Sequence, residues 1–229
     1  MVQRDHSNER GIKMTDYKGI IFDFNGTLFF DNDKHIKAWN AISKLLRNRE
    51  ITAKELHEKL NGTPNVENIR YLMDGKATPE DEEKYSRLKE SYYRQFCKED
   101  TKNFHLVDGV EEYFDRLKKE GMPFTIASAS IRENIDFFIE SFHLDTWMDP
   151  SDIVYDDGTY KNKVAMFKEA AKRIGVNMED VLVYEDSYSG IRNAYEAGCR
   201  NIIVICEKEK EAEYMAFPGV KKVMQDFRF

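Results

Sequence analysis

The side chains best suited to chemistry in this chain sit where apolar runs stop. Gly19-Ile20-Ile21-Phe22 ends on Asp23 and turns through Phe24-Asn25-Gly26-Thr27. Phe124-Thr125-Ile126-Ala127 ends on Ser128-Ala129-Ser130, and Val181-Leu182-Val183-Tyr184 ends on Glu185-Asp186. A short continuous apolar run bounded by turn residues reads as a strand buried on both faces, as in parallel sheets. The carboxyl ends of such strands share one rim, where open α/β sheets place their ligands. A carboxylate there is poorly explained by packing, because aspartate is seldom buried without a partner. It can ligate a metal or act as a nucleophile. Acidic ligands from two strands suit Mg²⁺, a hard cation that prefers oxygen. A hydroxyl and an ammonium, the latter from Lys161 or Lys163, suit the remaining oxygens of a phosphoryl group. Together these groups make a phosphoryl-transfer site, in which positioning and electrostatics do most of the catalysis.

The elements that must bring these groups together follow from periodicity. Val110, Tyr113, Phe114 and Leu117 form one helix face stopped by Gly121, and Ile135, Phe138, Ile139 and Phe142 form another. Val164, Phe167, Ala171 and Ile174 mark a helix ended by Gly175, and Ile191, Ala194 and Tyr195 one ended by Gly198. Ile153-Val154-Tyr155 and residues 201–205 add strands. Alternating strands and helices predict an α/β fold, a doubly wound parallel sheet with helices on both faces. Between the first strand and this alternation the spacing is helical throughout: Ile36, Trp39, Ile42, Leu45 and Leu46, then Tyr85, Leu88, Tyr92 and Phe96. Thr78-Pro79-Glu80-Asp81 opens the last of these helices with a cap, a proline and acids near the positive end of the dipole. The expected organisation is a disordered polar leader over 1–16, a core domain from 17–32 and 101–229, and an all-helical insert over 33–100. Trp39, Tyr92, Tyr93 and Phe96 are read as the insert's own core, and Ser130 as a cap for the helix after it.

Composition narrows the partners. A formal net charge of −7 without a local basic patch argues against nucleic acid. Lys208, Lys210, Lys221 and Lys222 are interleaved with acids and read as a solvated face. No apolar stretch reaches the length of a membrane span and no signal-peptide pattern opens the chain. Three scattered cysteines, Cys97, Cys199 and Cys206, lack metal-ligand spacing and read as free thiols of a cytoplasmic protein. A monomer acting on a small molecule, with neither membrane nor nucleic acid as partner, is expected.

Asp23-Phe24-Asn25-Gly26-Thr27, Ser128-Ala129-Ser130, Lys161 and Glu185-Asp186 resemble, in order and spacing, the four motifs of the haloacid dehalogenase superfamily. The resemblance runs from Tyr17 over nearly the whole chain. It is greatest to the β-phosphoglucomutase-like phosphatase branch, whose helical cap is inserted just after the first motif. It implies a Rossmann-like core and a Mg²⁺-dependent phosphatase for a small phosphorylated metabolite. Asp23 would form an aspartyl-phosphate, and Mg²⁺ would be held by Asp23, the backbone carbonyl of Asn25 and Asp186, with Glu185 close by. Thr27, Ser128 and Ala129 would bind phosphate, His35 would reach the site from the cap, and Lys161 would offset charge. The segment after Lys161 lacks the prolines usual in this motif, which leaves Lys163 as a second candidate.

Two departures matter. The family's phosphatases and mutases carry an aspartate two residues after the nucleophile as general acid and base, and this chain has Asn25. An amide cannot shuttle a proton near neutral pH, and such assistance is typically worth about 10²–10⁴-fold. Asp31, Asp33 and His35 follow closely enough to substitute. The mutases' cap arginine is missing from Asn61-Gly62-Thr63-Pro64-Asn65, with Arg70 further along. Two other functions therefore stand beside the phosphatase: a phosphoglucomutase-like isomerase, and a phosphometabolite-binding regulatory protein of low activity.

Overall fold

Strand β1 (Gly19–Phe22) is apolar on both sides because both sides are covered. Ile20 and Phe22 point into one buried cluster and Ile21 into another. The computed structural model describes residues 16–229; the leader expected over 1–16 lies, except for Asp16, outside the described residues. β1 is followed by α1 (Asn32–Arg47), α2 (Ala53–Glu55, continued as a π-helical stretch to Leu60), α3 (Asn65–Leu72) and α4 (Pro79–Glu99). Then come α5 (Val110–Glu120), β2 (Phe124–Ile131), α6 (Arg132–Phe142), β3 (Val154–Asp156), α7 (Lys163–Arg173), β4 (Val181–Glu185) and α8 (Tyr188–Ala197). β5 (Asn201–Ile205), α9 (Glu211–Tyr214) and β6 (Val220–Met224) complete the described chain.

The sheet has six strands in the order β3-β2-β1-β4-β5-β6, every pair parallel. This is the predicted α/β fold, with helices on both faces. β6 is the strand that sequence patterning did not show: it is an edge strand in which exposed Lys221 and Lys222 interrupt the apolar residues. Phe22 lies opposite Ile126 of β2 and Tyr184 of β4. That register sets Asp23 level with Ala127 and Glu185 on the carboxyl rim, with Ser128 one residue beyond.

Aromatic rings fill the layer beneath the rim. Phe22 stacks on Tyr184 with centroids 4.9 Å apart and meets Phe114 of α5 edge-on at 5.2 Å. Phe24 stacks on Phe138 of α6 at 4.2 Å. The rim residues are thus mounted on a rigid floor.

Every described element between Asn32 and Glu99 is helical, with an apolar cluster of its own formed by Trp39, Ile42, Leu60, Ile69 and Leu72. α4 starts with the expected capping box, Thr78 and Asp81 each accepting from the other's backbone N–H. Its far half leaves this cluster and packs on the core, where Tyr93 and Cys97 join the larger apolar cluster beside the sheet.

Phe22 is fully buried at the centre of the ring layer, so Phe22→Ala is expected to lower stability by about 3–5 kcal/mol. Urea unfolding measures it, and a loss under about 1 kcal/mol would show that the layer collapses to fill the gap.

Candidate active site

The turn after β1 is built to let two acidic segments approach. Phe24 O accepts N–H groups from Leu28 and Phe29, and Gly26 N–H bonds Phe29 O, closing a tight loop. Gly26 has φ +81°, and a Cβ there would lie 2.2 Å from Asp186 Oδ2. Only glycine allows both that conformation and that contact. Gly190, in the first turn of α8, makes the same allowance for Glu185, whose Oε1 would be 1.7 Å from an added Cβ.

Asp23, Glu185 and Asp186 converge, with ligand oxygens all within 4.8 Å of one another. Glu185 is completely buried and Asp23 nearly so. Lys163 Nζ donates to Asp23 Oδ1 at 2.5 Å and to Glu185 Oε1 at 2.6 Å. Thr27 Oγ1 donates to Asp23 Oδ2 at 3.3 Å. Glu185 Oε2 accepts from the N–H groups of Asp186 and Ser187, each at 2.9 Å. Burial pushes the Asp23 carboxyl up to about 7; Lys163 opposes this, while Glu185 adds to it. Asp186 is driven up to about 9 by burial and by repulsion from Glu185 and Asp23. Its hydrogen bonds go to its backbone, and among the described residues no donor reaches its carboxylate. A half-buried carboxylate without a donor, crowded by two buried ones, fits a divalent cation.

The lysine at this centre is Lys163, which corrects the assignment to Lys161. Asn162 is the N-cap of α7, its Oδ1 accepting from Ala165 N–H at 3.1 Å. Lys163 is therefore the first helical residue and reaches inward, whereas Lys161 precedes the cap and is exposed. The cap preference of asparagine before Val164 and Phe167 was the available signal.

Asn25 is held on both sides of its amide. Its Oδ1 accepts from Ser130 Oγ at 2.7 Å and Ser128 Oγ at 3.3 Å. Its Nδ2 donates to Asp31 Oδ2 at 2.5 Å and to Tyr93 Oη at 3.1 Å. Ser130 is thus a site residue rather than a helix cap; the cap position of α6 falls on Ile131. Tyr93 is likewise more than a core residue, since its hydroxyl also donates to Asp31. Ala129 is exposed at the end of β2.

Burial alone would raise the Asp31 carboxyl, but bonds from His35, Tyr93 and Asn25 outweigh it and hold the carboxyl below its usual range. His35 stacks on Tyr93 at 4.1 Å, with Nε2 3.3 Å from Asp31 Oδ2 and Nδ1 2.8 Å from Lys89 Nζ. An ammonium only donates, so Nδ1 is the acceptor and Nε2 carries the proton toward Asp31. Asp33 turns elsewhere, pairing with Lys34 and Lys37. Beyond Lys89 the network continues to buried Glu90, which accepts from Lys89 at 2.8 Å, Asn65 at 2.7 Å and Asn134 of α6 at 2.8 Å. This polar seam fastens the helical segment to the core. Arg70 is not part of it: its guanidinium binds Glu82 through two donors, at 2.5 and 2.9 Å.

The sequence model of the haloacid dehalogenase-like hydrolases matches residues 20–204. The chain belongs to that family. A haloacid dehalogenase hydrolase of family IA, variant 3, from Entamoeba histolytica superposes with a TM-score of 0.85 at 33% identity, covering 92% of this chain and 93% of that one. Protein CbbY of Rhodobacter capsulatus is 24% identical over 87% of this chain and 90% of its own length. A phosphorylated carbohydrates phosphatase of Thermotoga maritima is 23% identical over 81% of this chain and 83% of its own length. The fold is also that of β-phosphoglucomutase from Clostridium difficile, with a TM-score of 0.72 at 20% identity, covering 92% of each chain. The protein is accordingly an enzyme of this hydrolase family.

The two lysines can be separated experimentally. Lys163→Ala leaves the two buried carboxylates of Asp23 and Glu185 without their cation and is expected to lower phosphate release from a chromogenic ester by about 10²-fold or more. Lys161→Ala is expected to change it by less than about twofold. The reverse ranking would return the role to Lys161.

Proposed function

We propose that this hydrolase is a Mg²⁺-dependent phosphatase of small phosphorylated metabolites that transfers the phosphoryl group through Asp23. The observation that carries the reading is the meeting of Asp23, Glu185 and Asp186 around one point, with Lys163 and Thr27 on the nucleophile. Asp23, Asp186 and the backbone carbonyl of Asn25 would hold the ion beside Glu185; when bound, it supplies positive charge for the phosphate oxygens.

An Asp23 oxygen attacks phosphorus, a P–O bond forms to the carboxylate, and the ester P–O bond breaks. The departing oxygen takes a proton and leaves as the alcohol. Water then attacks the aspartyl-phosphate, releasing inorganic phosphate, and Asp23 is regenerated. Lys163 neutralises the carboxylate as the dianionic phosphate approaches, and the Ser128 and Thr27 hydroxyls can turn from Asn25 and Asp23 to the phosphate oxygens. The helical segment covers the rim through the Glu90–Asn134 seam and keeps bulk water out. A carbohydrate phosphate as substrate is supported by the relative named a phosphorylated carbohydrates phosphatase. It is also supported by a solved mutant of CbbY from Rhodobacter sphaeroides in complex with xylulose-(1,5)-bisphosphate, similar at a TM-score of 0.76 and 22% identity over 92% of this chain and 95% of that one.

Proton handling is the step in which this chain differs from its family. Asn25 cannot supply it, but the Asp31 carboxyl lies against the Asn25 amide with His35 behind it. In this reading Asp31, kept ionised at rest by its bonds from His35, Tyr93 and Asn25, takes a proton relayed from the Lys89 ammonium through His35. It passes that proton to the departing oxygen, standing in for the carboxyl group that position 25 lacks. Alkoxide leaving groups need the proton most, and acyl phosphates need it least. Turnover is therefore expected to be faster on acetyl phosphate than on sugar phosphates; equal rates on both would contradict the assignment. A phosphoprotein that persists after acetyl phosphate is consumed would instead identify a protein arrested before hydrolysis.

A second test exchanges the two side chains. Asp31→Asn is expected to slow sugar-phosphate hydrolysis by about 10²-fold while sparing acetyl phosphate. Adding Asn25→Asp to that variant restores a carboxyl at the rim and is expected to recover most of the loss. An unchanged sugar-phosphate rate in Asp31→Asn removes Asp31 from the mechanism.

A further inference from the structure

Asp186 has reason to leave the site. Asp23 and Glu185 bring carboxylate oxygens within 4.8 Å of its own and repel it, it is half-buried, and no described donor holds its side chain. Its position is set through its backbone. On the N–H side the tie is Glu185 Oε2, a group whose charge is itself part of the repulsion. On the carbonyl side the tie comes from a distant element: Tyr214 Oη donates to Asp186 O at 2.7 Å.

Tyr214 is the last residue of α9, in the connection from β5 to β6, and is 5% exposed. Its ring stacks on Tyr188 at 4.6 Å with 17° between planes, and Tyr188 stacks on Phe217 at 5.3 Å. Tyr188 is the first residue of α8, two positions after Asp186. The same aromatic group therefore grips the turn at its carbonyl and at the helix that follows. With the peptide fixed at both ends, the Asp186 carboxylate stays beside Gly26, where its Oδ2 occupies the space a Cβ would take.

We infer that Tyr214 is a positioning residue for the metal site: its hydroxyl, clasped by Tyr188, holds the Asp186 carboxylate at the cation's place against the repulsion of Asp23 and Glu185. This inference rests on the Mg²⁺ reading above. Neighbours that orient a ligand typically contribute about 10–100-fold to metal affinity. The effect belongs to binding, because the hydroxyl touches neither substrate nor the reacting atoms.

The test is Mg²⁺ titration by calorimetry on the whole chain, with thermal midpoints taken in chelator. Tyr214→Phe keeps the ring stack and removes one hydrogen bond. It is expected to bind Mg²⁺ about tenfold more weakly, to keep its midpoint in chelator, and to regain wild-type turnover at saturating Mg²⁺. Tyr188→Leu, which keeps the hydroxyl but removes the clasp, is expected to weaken Mg²⁺ in the same direction. Wild-type affinity in both variants overturns the inference. So does a loss of turnover that saturating Mg²⁺ does not restore, accompanied by a lowered midpoint, because that marks a merely structural residue. Absence of Mg²⁺ binding by the wild type overturns the metal reading itself, and the inference with it.

Discussion

Mutual repulsion among three carboxylates is the constraint around which this molecule is organised. Asp23, Glu185 and Asp186 meet at the ends of two strands of a parallel sheet, the first two buried and the third half-buried. Isolated buried charges of one sign are among the most costly arrangements in a protein. Lys163 offsets part of this by bridging Asp23 and Glu185, and the N–H groups of Asp186 and Ser187 satisfy the far oxygen of Glu185. The remainder falls on Asp186. A pocket so polar and so crowded with carboxylates is one that the proposed Mg²⁺ and phosphate dianion would suit. The repulsion among these carboxylates and the suitability of the rim for the proposed phosphoryl transfer have the same cause.

The rest of the fold answers the need to hold these groups in place. Stacked rings of Phe22 and Tyr184 form a floor that cannot easily yield. Glycines at 26 and 190 admit carboxylate oxygens where any side chain would collide. Above the rim, the row from Asn25 through Asp31, His35, Lys89 and Glu90 to Asn134 connects the loop after β1, the helical segment and the core. Buried ionic rows of this kind are weak evidence for stability, since desolvation offsets much of the attraction. Their geometry is exacting, and registering one body against another suits it.

Much of this was legible in the sequence because strand ends declare themselves. Asp23, Ser128 and Glu185-Asp186 each follow a continuous apolar run, and a parallel sheet puts all such ends on one rim whatever their separation. The fold followed from the same alternation. Direction in three dimensions was harder to read. Tyr93 lies beside the helical stripe of Tyr85, Leu88, Tyr92 and Phe96, so its type suggested packing, and only the docking of α4 on the core turns its hydroxyl to Asn25. Ser130 stands where a helix cap would stand, but β2 runs on past its apolar run to Ile131 and carries the hydroxyl into the site. Position 25 was legible as a departure; that a carboxylate lies against it depends on the loop closed by Gly26 and Phe29, which no spacing rule describes.

The place of β1 in the sheet bears on how the chain is made. Its two neighbours begin at Phe124 and at Val181, and the helices that intervene gather around a cluster of their own. During synthesis, then, the ribosome releases the strand that ends on Asp23 before its two partners, which follow much later. Until they arrive, Gly19–Phe22 is an apolar segment with both edges open, the kind most prone to pairing with another nascent chain. The topology that gathers distant acids at one rim thereby makes the earliest strand the one most in need of protection before release.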